Sequence, residues 1–247
     1  MRGDLVLLHG FTQTGRSWAP VVAALGQRYR CFAPDLPGHG DSSERRPATF
    51  GAVTAYLAAL KPERFVLCGY SMGGRLALHA ALALPARVER LVLVGASPGL
   101  EDAAEREARR RADEELAARI ESAGLEAFVE AWGRQALFAT QPRGVAELAR
   151  ADRLRNTPSG LAAAQRGMGT GTMEPLWGRL GELAVPVTLV VGEQDEKFRA
   201  VAQRMAEAIP DAALVVVPGA GHAVQLERPD AVAGAISARS GGSPSHA

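Results

Sequence analysis

The chain has 247 residues, 47% of them apolar and 22% charged, and its 28 Lys and Arg against 27 Asp and Glu leave a net charge of +1. That length buries a substantial core, and the composition excludes a collagen-like, disordered or disulfide-stapled protein. Near neutrality excludes bulk attraction to nucleic acid or to an anionic membrane.

All of the cations except Lys61 and Lys197 are arginines, so an arginine at any single position carries little weight by itself. Cys31 and Cys68 lie in separate apolar runs, fit no metal or redox spacing, and read as small buried hydrophobes of a reducing compartment. No apolar run reaches the roughly 18 residues of a membrane span, and the stretch before His9 is too short for a secretion signal. A soluble, cytoplasmic protein is the expectation.

In chain order, β-type runs fall at Leu5–Leu8, Arg30–Ala33, Phe65–Cys68, Leu91–Val94, Val187–Val191 and Ala213–Val217. Each meets a Gly- or Pro-rich turn. They are apolar nearly throughout instead of alternating, the pattern of strands covered on both faces. Helical patterns separate them at Trp18–Gly26, Phe50–Leu60, Gly73–Leu84, Phe198–Ala208 and Asp230–Ser237. Strand, crossover helix and strand repeated in this way predict an α/β fold with a mostly parallel, doubly wound sheet.

The rhythm breaks between Pro98 and Trp177, a stretch rich in Ala, Arg and Glu with helical patterning and no convincing strand. Glu105 with Arg109 and Arg111 with Glu115 have the i,i+4 spacing that supports an exposed helix. The expected organisation is therefore a core over 1–97, a helical cap over 98–177 inserted above the active-site edge, a second core segment over 178–240, and a disordered tail over 241–247.

Gly69-Tyr70-Ser71-Met72-Gly73 fits the pattern G-x-S-x-G, in which a sharp strand-to-helix turn presents a serine at the amino end of a helix. Five residues are a weak match alone, but here an apolar strand precedes them and a helical pattern follows. A serine hydroxyl needs a base, and the base needs an orienting acid. Asp195 follows the run Val187–Val191, and His222 follows Ala213–Val217. Either could be an ordinary turn residue. At the ends of three parallel strands, in the order Ser71, Asp195, His222, they read as a triad converging on one sheet edge. Oxyanion donors are then expected from the N–H of Met72 and the N–H of Phe11, in the exit loop of the first strand. His39 reads as structural, and neither His79, within a helix, nor His246, in the tail, has a suggestive partner.

With these residues the chain resembles the α/β-hydrolase superfamily. A narrower resemblance is carried by Arg75 after the elbow, Pro98-Gly99-Leu100, Arg109-Arg110-Arg111-Ala112-Asp113, Trp132-Gly133-Arg134-Gln135, and Gly192 through Arg199. These resemble the 2-succinyl-6-hydroxy-2,4-cyclohexadiene-1-carboxylate (SHCHC) synthases of menaquinone biosynthesis. The resemblance implies a lyase whose triad abstracts a proton and eliminates pyruvate from 2-succinyl-5-enolpyruvyl-6-hydroxy-3-cyclohexene-1-carboxylate, with no metal and no cofactor. A small substrate with three carboxylates implies fixed cations, assigned by the resemblance to Arg75, Arg109 and Arg155, with Tyr70, Trp132 and Gln135 shaping the pocket. Arginine suits that task because it stays charged and binds carboxylates bidentately. The alternative is a carboxylesterase or carbon–carbon bond hydrolase using the same triad for acyl transfer. Serine at the elbow disfavours an Asp-nucleophile hydrolase, and the intact triad disfavours a non-catalytic binding relative.

Overall fold

The apolar runs pair into a single sheet in the computed structural model, whose described residues are 2–238; the tail expected at 241–247 lies outside them. The strands are β1 (Gly3–Leu8), β2 (Tyr29–Phe32), β3 (Phe65–Tyr70), β4 (Val88–Val94), β5 (Val187–Gly192) and β6 (Ala212–Val217). Their order is β2-β1-β3-β4-β5-β6, and every pairing is parallel. β4 starts three residues before the expected Leu91, because Glu89 and Arg90 break the apolar run while the buried Val88 still pairs with Phe65 across a register shift.

Successive side chains on a strand point to opposite faces, and each face has its own core. Val6 and Leu8 of β1 join Leu67, Leu91 and Leu189 on one side, under α2 (Phe50–Ala58), α3 (Met72–Ala83) and α8 (Glu196–Ala208). Leu5 and Leu7 join Val66, Cys68, Val92 and Val190 on the other, under α1 (Ala19–Leu25), α9 (Val224–Glu227) and α10 (Pro229–Ser237). Burial on both faces is why these strands read as continuous apolar sequence. β6 is an edge strand, which leaves Leu214 and Val216 partly exposed.

Between β4 and β5 the chain forms α4 (Ala103–Ala123), α5 (Leu125–Gly133), α6 (Arg143–Arg153) and α7 (Pro158–Met168). Asp102 caps α4 by accepting the N–H of Glu105, and Thr157 caps α7 ahead of Pro158 at its first turn. The expected pairs Glu105–Arg109 and Arg111–Glu115 do not form. Arg109 pairs instead with Asp113, and Arg110 and Arg111 with Glu107. Asp113 is buried and also accepts from Gln165 of α7 and from the N–H of Gly171, so Arg109 is drawn to the side that packs.

Among the described residues no helix is long and apolar enough to cross a membrane, and no group of three potential metal ligands occurs. Cys31 and Cys68 are free, the first half-buried and the second buried.

Candidate active site

The strand order reverses between β1 and β3, so their exit loops lie side by side at the crevice where open α/β sheets bind ligands. Ser71 occupies that point with φ 51 and ψ −109, a backbone conformation that is strained for a residue with a Cβ. Its neighbours permit it. A Cβ on Gly69 would stand 2.2 Å from the Gly73 carbonyl oxygen, and one on Gly73 would stand 2.1 Å from that of Leu8. The Ser71 N–H donates to Val94 O at 2.9 Å, fixing the turn to β4.

His222 Nε2 lies 3.2 Å from Ser71 Oγ, and His222 Nδ1 lies 2.6 Å from Asp195 Oδ2. With Nδ1–H donating to the carboxylate, Nε2 is left to accept the serine proton. Asp195 has a second task. Its Oδ1 accepts the N–H of Phe198 at 3.3 Å and caps α8, so one carboxylate starts a helix and orients the imidazole. That cap also starts α8 two residues before the expected Phe198. His222 and Asp195 are buried, and the rings of Phe198 and Tyr70 stand 4.6 and 5.3 Å from the imidazole.

Met72 opens α3, where N–H groups lack an acceptor within the helix. The N–H of Phe11 has no backbone acceptor among the described residues. Contact of Gly73 with the carbonyls of Leu8 and His9 brings the two loops together. Two buried histidines shape the Phe11 loop. Leu36 N–H donates to His9 Nε2, Thr12 N–H donates to His39 Nε2, and the rings meet edge-on at 4.9 Å. Burial pushes both imidazoles below their ordinary pKa, so they are neutral structural groups.

The arginines separate. Arg75 lies one turn into α3 and has a buried Nη1 with no partner. Burial and then the neighbouring charge of Arg109 lower its pKa to about 10, which leaves it a cation at neutral pH. Arg109 is partly exposed and ion-paired at 2.6 Å with Asp113. Arg155 is exposed and lines an outer groove of about 260 Å³ with Arg16, Pro20 and Leu148. The structure does not bring it to Ser71.

Arg153 takes the inward place. It is buried, its Nε has no partner, and its guanidinium lies 4.8 Å over the ring of Phe138, which also faces His222. Arg153 closes α6, whereas Arg155 lies two residues beyond it in an exposed turn. The signal was the spacing of Ala149 and Arg153, the two buried positions of α6.

Tyr70 is buried beside His222, and burial raises its hydroxyl pKa. Trp132 packs on Phe11 and Phe128 at 5.3 and 5.6 Å. Gln135 is exposed. Its amide donates to Trp132 O, and it lines with Trp132 an outer groove of about 520 Å³.

A parallel, two-sided sheet with a serine, a histidine and an aspartate meeting at its carboxyl edge defines an α/β-hydrolase. The chain belongs to the alpha/beta hydrolase family, whose model matches residues 5–235. Within that family it is 40% identical, over 91% of its length and 85% of the relative's, to the "Putative 2-succinyl-6-hydroxy-2,4-cyclohexadiene-1-carboxylate synthase" of Bacillus subtilis (strain 168). The solved structure of MenH from S. aureus superposes with a TM-score of 0.89 at 35% identity, over 95% of this chain and 91% of that one. The chain is also 31% identical to the pimeloyl-[acyl-carrier protein] methyl ester esterase of Nitrosomonas europaea (strain ATCC 19718 / CIP 103999 / KCTC 2705 / NBRC 14298), over 92% of its length and 91% of the relative's.

Proposed function

We propose that this chain is an SHCHC synthase, a lyase that eliminates pyruvate from 2-succinyl-5-enolpyruvyl-6-hydroxy-3-cyclohexene-1-carboxylate. The observation that carries the choice over ester hydrolysis is the state of two arginines near the Ser71 relay. Arg75 Nη1 and Arg153 Nε are buried N–H groups with no acceptor among the described residues. Leaving such donors unmatched costs a fold about 1–3 kcal/mol or more each, so they are suited to the carboxylates of an anionic substrate. A neutral ester would leave both unsatisfied.

Ser71 Oγ, relayed through His222, removes the carbon-bound proton next to the succinyl carbonyl. The electron pair of that C–H bond moves into the carbonyl oxygen, which the N–H groups of Met72 and Phe11 hold as an enolate. Collapse of the enolate forms the C2–C3 ring double bond, shifts the existing C3–C4 double bond to C4–C5, and breaks the C5–O bond to the enolpyruvyl group. That group departs as the pyruvate enolate and takes up a proton to become pyruvate. Asp195 stabilises the imidazolium throughout, and no bond to Ser71 forms. Helices α4 to α7 serve as the cap that brings Arg109 and Arg153 over the substrate.

The deciding experiment supplies the enolpyruvyl substrate and follows pyruvate, with rapid-quench mass spectrometry of the protein. Stoichiometric pyruvate with unmodified Ser71 is the expected result. An acyl group on Ser71 formed at the turnover rate, or rapid ester hydrolysis without pyruvate release, would replace this reading with acyl transfer.

A further inference from the structure

His222 sits in a stretch with no regular secondary structure, between β6 and α9. Its two hydrogen bonds must survive proton transfer, so the backbone that carries it needs an anchor. Glu227, the last residue of α9, supplies one. Its Oε2 accepts the N–H of Gly221 at 2.7 Å, and its Oε1 accepts the N–H of Ala223 at 3.1 Å. These are the N–H groups of the two residues that flank His222 in sequence, so a single carboxylate brackets the histidine.

Glu227 is only 7% exposed and makes no ion pair among the described residues. A buried carboxylate without a counter-ion is costly, and a glutamine has one acceptor oxygen for two donors. The contact with Ala223 by itself would be a helix cap. Gly221 lies outside the helix, and its bond has no part in capping. Other charged and titratable groups lie around His222. Tyr70 comes from β3 and Asp195 from the β5 exit. Lys197 lies over the ring of Phe198, and Arg153 over that of Phe138, the two rings that face the imidazole.

We propose that Glu227 is a positioning residue that fixes the His222 backbone and, as a second buried anion beside Asp195, favours the imidazolium formed when Ser71 gives up its proton. This rests on the reading of His222 as the relay base. The test uses the full chain with Glu227→Gln and Glu227→Asp. The His222 ring is titrated by 15N NMR in the resting protein, and kcat and KM are measured across pH. In E227Q the midpoint of His222 should fall by about half a unit to one unit, the acid limb of kcat/KM should move with it, and kcat should drop about tenfold with KM within twofold. E227D keeps the charge, so its midpoint should stay close to that of the wild type while kcat falls for lack of reach. A folded E227Q with an unmoved midpoint and acid limb would reduce Glu227 to a helix cap and overturn the proposal. If E227Q does not fold, an E227D midpoint that falls by half a unit or more overturns it equally. Because the titration needs no substrate, it separates failure here from failure of the lyase assignment.

Discussion

At the scale of single residues, the strained backbone of Ser71 and the short bond between His222 and Asp195 hold three side chains as one unit. Ser71→Ala, His222→Ala and Asp195→Asn should each lower turnover by about 10³-fold or more. The Ser71→Ala/His222→Ala double variant should lose little beyond the worse single one, because the members of a relay are not additive. Single-turnover pyruvate release checks this, and losses that multiply would mean that the two residues act separately. The arginines give a sharper contrast. Arg153→Ala removes a buried cation stacked on Phe138, whose ring faces His222, whereas Arg155→Ala removes an exposed one. A charge-assisted contact of about 1.5–3 kcal/mol corresponds to a 10- to 150-fold loss in kcat/KM for Arg153→Ala. Arg155→Ala should stay within about twofold of the wild type. Steady-state kinetics on the tricarboxylate substrate settles both.

At the scale of elements, α6 is tied to the loop that offers the Phe11 N–H. Asp152 accepts the N–H and the hydroxyl of Thr14 at 2.9 and 2.5 Å. Asn156, just past the helix, donates to Thr12 O at 2.7 Å and accepts the Gly40 N–H at 3.0 Å. Thr12 has φ 71, so its peptide depends on outside partners to hold that conformation. The end of α6 that carries Arg153 therefore also holds the loop of the proposed oxyanion donor, Phe11. Asn156→Ala would strand a carbonyl and an N–H in a largely buried setting, at about 1–3 kcal/mol. For a chain of this size each kcal/mol moves Tm by about 2–4 °C. A melting point unchanged in calorimetry would show that the tie carries no load.

At the scale of the whole molecule, stability should depend on pH through the buried His9 and His39. Both have folded-state pKa values below the ordinary 6.5, because burial penalises their charged forms. Below about pH 6.5 the unfolded chain binds protons there that the native pair does not. Stability is then full above that pH and falls as pH drops toward the folded values. Each ring that titrates only in the unfolded chain contributes a slope of roughly 1.4 kcal/mol per pH unit. Urea unfolding at pH 7.5 and 5.5 measures it, and equal midpoints would mean that both rings take up protons within the fold.

What the sequence by itself determined is what local chemistry encodes. Apolar runs of strand length, the small-residue turn around Ser71, and an acid and a histidine directly after later strands are all short-range patterns. A parallel sheet carries the ends of its strands to one edge, so three such patterns suffice to place Ser71, Asp195 and His222 together. The tertiary structure alone decided which charged side chains turn inward. The packed end of α6 buried Arg153, and the turn beyond it left Arg155 outside. The buried Asp113, held by Gln165 and Gly171, drew Arg109 from Glu105. Glu227 acquired its place only when α9 packed beneath the His222 loop. An arginine-rich helix reads alike on every face, and only packing against a distant segment separates its buried cations from its solvated ones.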